Sequence, residues 1–292
     1  MDYFDAHIHT SYSDGNYSVD EVIKMAADEG SIRHLAITDH NKLLPNFNEI
    51  RKKYPNIEII SGSEISADYH TAEGEKKEIH IIGLFLEQTN ELKDFLAKNT
   101  PDNRFRIEAM IKKLAECGVD IRYKTYDEFR KHYFPDRDMI GRPQLAAVIA
   151  REGYAPSAEL AMDMYIGDYG ERLAYVPNPH TFADMKSVIN NIHIAEGVAI
   201  LAHPLSYNLS DDEVIALVKH FKASKGDAME VYYSRYDKEK RQILARIANE
   251  NNLLYSCASD FHGNRVSDRL DNHFPAIYLD KLREKRLDYI KK

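Results

Sequence analysis

At 292 residues the chain is long enough for one α/β barrel carrying an insertion and needs no second, unrelated domain. Hydrophobic residues make up 43% and charged residues 29%, which excludes wholesale disorder and leaves enough apolar surface for a sizeable core. The formal net charge of -8 excludes a general attraction for polyanions, so any nucleic-acid substrate has to be held locally.

No run of about 18 apolar residues is present to span a bilayer, and MDYFDAHIHT lacks the basic-then-apolar pattern of a signal peptide, so a cytoplasmic chain is expected. Cys117 and Cys257 stand far apart, which argues against a disulfide framework and against a thiolate zinc site; both read as small buried residues.

In chain order, short apolar runs alternate with amphipathic stretches over residues 1–90 in the manner of repeated βα units. Strands are predicted at Tyr3–Ile8, His34–Ile37, Ile57–Ser61 and Ile79–Leu86, with helices at Ser18–Glu29 and Phe47–Lys53. Ser18 followed by Glu21 is a capping-box start for the first helix. The middle of the chain turns helical, with Arg104–Cys117, Tyr126–His132, Pro143–Glu152 and Phe182–Glu196. From Gly197 the earlier rhythm returns, with strands Val198–Ala202, Ala228–Tyr232 and Leu253–Ala258 and helices Asp211–Ala223 and Lys238–Asn251. The expected organisation is a barrel formed by residues 1–95 and 196–292, with 96–195 as a helical insertion covering the active site.

Histidines and carboxylates gather where strands are predicted to end: Asp5, His7 and His9 on the first, Asp39 and His40 on the second, Glu64 on the third, His203 after Ala202, and Asp260 and His262 after Ser259. Strand ends in a βα barrel converge on one face, where active sites form. Residues two apart in an extended chain point the same way, so His7 and His9 can chelate together. Imidazole with carboxylate suits zinc, manganese or iron. Glu64 is the expected bridge, because two carboxylate oxygens can span a pair of ions. Asp14, in Ser13-Asp14-Gly15, is either a plain turn residue or a ligand folded back onto the ions, and His80 is either a barrel-interior residue or a ligand. His34, His132, His180, His193, His220 and His273 read as surface or packing residues.

These residues resemble the signature of the PHP (polymerase and histidinol phosphatase) domain, and Asp14, the insertion, Gly141-Arg142-Pro143 and Tyr175-Val176-Pro177 resemble its TrpH/YciV-like subgroup. The resemblance implies a distorted (β/α)7 barrel with a trinuclear site: His7, His9, Glu64 and Asp260 on one ion, Glu64, His80 and His203 on the second, and Asp14, His40 and His262 on the third. Where many relatives carry Arg-Pro-His, this chain has Arg142-Pro143-Gln144, which puts substrate preference in question.

The expected activity is metal-dependent phosphoesterase chemistry on a nucleoside 3′,5′-bisphosphate, a nucleoside monophosphate or a short 5′-phosphorylated RNA. It would use two or three manganese, zinc or iron ions and a metal-bound hydroxide positioned by Glu64, Asp260 and His203. The alternatives are a histidinol-phosphate phosphatase and a non-catalytic metal-binding module. No membrane and no obligate protein partner is expected. Arg142 and Arg235 are each either phosphate-binding residues or solvated surface arginines, and Tyr207, Tyr232 and Tyr233 either stack on a base or pack.

Overall fold

The computed structural model describes residues 3–137, 139–167, 173–263, 268, 270 and 274–290, which leaves His273 outside the described residues. Its centre is a seven-stranded sheet in sequence order: β1 (Tyr3–Ile8), β2 (Ile32–Ile37), β3 (Glu58–His70), β4 (Lys76–Leu84), β5 (Val198–Leu201), β6 (Ala228–Tyr233) and β7 (Leu254–Ala258). The sheet curls until β1 meets the chain beyond β7, where the His9 amide donates to Phe261 O at 2.9 Å and the Asp260 amide to His7 O at 3.0 Å. The result is the expected distorted seven-stranded barrel.

Around it lie α1 (Val19–Glu29), α2 (Phe47–Lys53), α3 (Asn90–Lys98), α8 (Met185–Ile194), α9 (Asp211–Ala223), α10 (Lys238–Glu250) and α11 (Ile277–Arg286). Among the described residues, four helices come between α3 and α8: α4 (Arg104–Glu116), α5 (Tyr126–Tyr133), α6 (Arg142–Arg151) and the short α7 (Ala158–Ala161), which runs into a π-helical turn, Met162–Ile166. Helix α1 starts as its sequence predicts, with Ser18 accepting from the Glu21 amide and Glu21 reaching back to the Ser18 amide.

Two expectations need correction. The βα rhythm breaks at β4, which pairs antiparallel with both β3 and β5 and follows β3 through a short turn rather than a helix. Strand β3 also runs to His70 instead of stopping at Ser61, because its second half pairs with β4 from Glu64↔Ile82 to His70↔Lys76. Glu64 therefore sits inside a strand, not at a strand end, and His80 lies within β4.

The helical segment has its own core, in which Ile107, Met110, Leu114, Phe129, Leu145 and Ile149 pack together apart from the barrel. Helix α8, grouped with the insertion by the sequence pattern, belongs to the barrel: Met185, Val188, Ile189 and Ile192 pack with Ile79, Ile81 and Leu201. Cys257 is buried, whereas Cys117 at the end of α4 is only partly so.

Because the two cores are separate, Phe129→Ala is expected to cost about 3–5 kcal/mol and to loosen the insertion before the barrel. Hydrogen exchange should show the amides of 104–166 opening first; uniform loosening of both regions would contradict this.

Candidate metal centre

Strand β1 supplies the first pair. His7 lies inside it and His9 just beyond, and their Nε2 atoms meet at 2.9 Å with both rings fully buried. Glu64 faces them from β3. Its Oε2 is 3.3 Å from His7 Nε2, 3.1 Å from His9 Nε2 and 3.0 Å from His40 Nδ1. Its Oε1 is 2.8 Å from His80 Nδ1 and 3.0 Å from His203 Nε2.

The remaining carboxylates complete the group. Asp260 Oδ1 lies 3.5 Å from His7, 3.4 Å from His9 and 3.4 Å from His262 Nδ1. Asp14 lies 3.3 Å from His262 Nε2, 3.6 Å from His9 Nδ1 and 3.8 Å from His40 Nε2. His203 and Asp260 hold positive φ angles of 24° and 52°, a backbone region that non-glycine residues avoid and that tends to be kept where function requires it. Gly15 has no room for a side chain, since a Cβ there would lie 2.6 Å from His9 O.

Further groups orient these side chains. Glu230, fully buried in β6, accepts from His7 Nδ1 at 2.8 Å with one oxygen and from the His203 amide at 2.6 Å with the other. Glu78 stands 3.5 Å from His80 Nε2, and the Tyr233 hydroxyl donates to Asp260 Oδ2 at 2.7 Å. Asp39 is no part of the cluster; it accepts from the Thr10 and Ser13 amides and fixes the turn that carries Asp14. Glu230 escaped sequence reasoning, although a lone carboxylate in the apolar run Ala228–Tyr233 signals a buried charge that needs a partner.

The donor set fits divalent cations. With Nδ1 of His7 donating to Glu230, its Nε2 presents a lone pair toward the Nε2 of His9 and toward two carboxylates. His9 Nδ1 is buried without a hydrogen bond. Ligand atoms within 4.8 Å of one another form the sets His9, Asp14, His40, His262; His7, Glu64, His203; His7, His9, Asp260; and His40, Glu64, His80.

Proton titration reflects the same crowding. Burial would favour a neutral Glu64, yet His80, His40 and His7 around it hold its carboxyl well below the usual range. Burial opposes charge on His9 and His80, but neighbouring carboxylates push both up to about 10. His40, with burial and the charges of His9 and His80 against it, falls to about 4. The protein cannot protonate every imidazole at once, and cations shared among them relieve that conflict.

A cavity of about 510 Å³ opens above the cluster, between the barrel and the insertion, with Arg142 and Arg235 among its lining residues. Arg142 lies over the Tyr175 ring at 5.9 Å, and Arg235 Nη2 is 3.3 Å from Asp260 Oδ2. Tyr207 and Tyr233 reach the cavity, but the Tyr207 hydroxyl is engaged by the His80 amide and by Ala202 O. Tyr232 packs away from it, its hydroxyl accepting from Tyr278 at 2.9 Å, so a base-stacking role is withdrawn. Among the other described histidines, His34 pairs with Glu58, His193 with Asp227, and His132, His180 and His220 pack against aromatic rings.

Several known proteins are similar to this chain. The PHP domain family model matches residues 5–141. A 5′-3′ exoribonuclease of Haemophilus influenzae is 33% identical over 261 residues, covering 89% of this chain and 89% of the relative. A 3′,5′-nucleoside bisphosphate phosphatase of Chromobacterium violaceum is 25% identical, covering 88% of this chain and 86% of that protein. The structure of a Chromobacterium violaceum amidohydrolase with bound sulfate and no metal superposes with a TM-score of 0.82 at 24% identity, over 97% of this chain and 96% of the other, and so shares the fold.

If Glu230 sets the ring orientation of His7, Glu230→Gln should weaken Mn²⁺ binding about 10–100-fold in a chelator competition. Wild-type affinity in that variant would remove the orienting role.

Proposed function

The chain belongs to the PHP domain family, and from that premise we propose that it is a metal-dependent phosphoesterase acting on phosphate esters of nucleotides, either mononucleotides or short 5′-phosphorylated RNA. The observation that carries this reading is the ring of imidazoles around the Glu64 carboxylate at the floor of an arginine-lined cavity. Relatives named for exoribonuclease and bisphosphate phosphatase activity support the nucleotide substrate class.

In this reading His7, His9 and Asp260 would hold one ion and Asp14, His40 and His262 another, while Glu64, whose Oε2 faces His7 and His9 and whose Oε1 faces His80 and His203, would serve the first ion and a further one with His80 and His203. Bound there, manganese, zinc or iron ions supply Lewis acidity, which neutralises phosphoryl oxygens and lowers the pKa of water. The protein supplies the rest. Glu230, Glu78 and Tyr233 fix the ligands, so little reorganisation is needed when substrate arrives. Arg235, on the barrel, and Arg142, on the insertion, face the cavity from opposite elements and hold phosphoryl oxygens between them.

The cavity is closed on one side by Ile140, Pro143 and Ala146 of the insertion, a wall against which the rest of a small substrate packs and which limits water. No described helix is long and apolar enough to cross a membrane. A cytoplasmic location, where such substrates are met, is part of the proposal. The complete ligand set gives no support to a non-catalytic module.

Manganese-loaded protein is expected to release phosphate, or to shorten the RNA, when given adenosine 3′,5′-bisphosphate, AMP and a short 5′-phosphorylated RNA, with loss of activity in chelator. Release from histidinol phosphate alone would replace the substrate class, and release from none would sink the proposal. Arg142→Ala is expected to raise KM by about 10–100-fold, the scale of a lost charge-assisted hydrogen bond; an unchanged KM would remove Arg142 from the substrate site.

A further inference from the structure

The turn carrying Asp14 is gripped from two sides. From the barrel, Asp39 accepts from the amides of Thr10 and Ser13. From the insertion come two side chains more than 120 positions away: Arg137 Nη1 donates to Ser13 O at 3.3 Å, Gln144 Nε2 to Asp14 O at 3.0 Å, and Arg137 Nη2 to Gly15 O. Three successive carbonyls of one turn thus accept from two insertion residues. Gln144 is nearly fully buried and is itself held, its Oε1 accepting from the Gly141 amide at 2.9 Å at the start of α6.

A carbonyl gripped at each residue fixes the peptide planes on both sides of Asp14, and with them the direction of its carboxylate toward His262, His9 and His40. We propose that Arg137 and Gln144 are positioning residues: they aim Asp14, so that the ion held by Asp14, His40 and His262 binds tightly only while the insertion is seated on the barrel. This rests on the metal-centre reading above and extends it, since neither residue is a ligand. Coupling of this kind is reciprocal, so the same ion steadies the insertion.

The test is Mn²⁺ binding, by metal analysis and chelator competition, in wild type and in Arg137→Ala, Arg137→Lys, Gln144→Glu and Asp14→Ala. Gln144→Glu keeps the acceptor for the Gly141 amide and loses the donor to Asp14 O, so it isolates the clamp should Arg137→Ala fail to fold. The Mn²⁺ equivalent that Asp14→Ala loses is expected to bind about 10–100-fold more weakly in Arg137→Ala and Gln144→Glu, with the others unchanged and Arg137→Lys intermediate. Wild-type binding of every equivalent in Arg137→Ala and Gln144→Glu would overturn the proposal, as would equal weakening of all of them. If Asp14→Ala loses no Mn²⁺, the clamp and the Asp14 assignment fall together, while the phosphoesterase reading is decided separately by phosphate release.

Discussion

The structure turns on one carboxylate. Glu64 is fully buried and meets the rings of His7, His9, His40, His80 and His203 at 2.8–3.3 Å. Placing so many titratable groups out of water would be prohibitive without compensating charge, and protons cannot supply all of it, because with His9 and His80 pushed up to about 10 the neighbouring His40 falls to about 4. Divalent cations can. Much of the surrounding architecture serves to keep these groups converging. The reversed strand β4 brings His80 in beside Glu64, and the strained backbone at His203 and Asp260 turns their side chains inward. Buried Glu230 orients His7 and tethers the His203 backbone at once.

The insertion has two relationships to that centre. Through Arg142, Ile140 and Pro143 it forms a wall of the cavity and adds positive charge opposite Arg235. Through Arg137 and Gln144 it holds the turn that carries Asp14. The segment has its own apolar core, so both sets of contacts come from one packed unit. The chain is acidic overall, and Arg142 and Arg235 place positive charge locally in the cleft, where the proposed phosphorylated ligand would sit.

Much of this was legible in the sequence. The strands were readable from short apolar runs, and the convergence of His7, His9, His40, His203, Asp260 and His262 from their places at predicted strand ends, because a barrel forces such ends together; the residues alone left Asp14 and His80 open, and only the family resemblance added them. The length of β3 was not legible, since polar Ser63, Ser66 and Asp68 follow the predicted end at Ser61; they remain in the strand because β4 pairs alongside. Helix α8 shows an apolar face in its sequence, but the face does not say which core it joins. Glu230 was visible only as an anomaly in an apolar run, and its partner is 223 positions away. Arg137 carried no signal at all, because hydrogen bonds to backbone carbonyls leave no residue pattern in the turn that accepts them. For Tyr232 the sequence left stacking and packing both open, because its strand position gives no guide to which side of a distorted barrel it faces.

Anomalous diffraction from Mn²⁺-loaded crystals tests the central claim most directly. The account predicts manganese peaks on both sides of Glu64, each within coordination distance of one of its oxygens. A lone ion bound without Glu64, or no ion at this cluster, would contradict it.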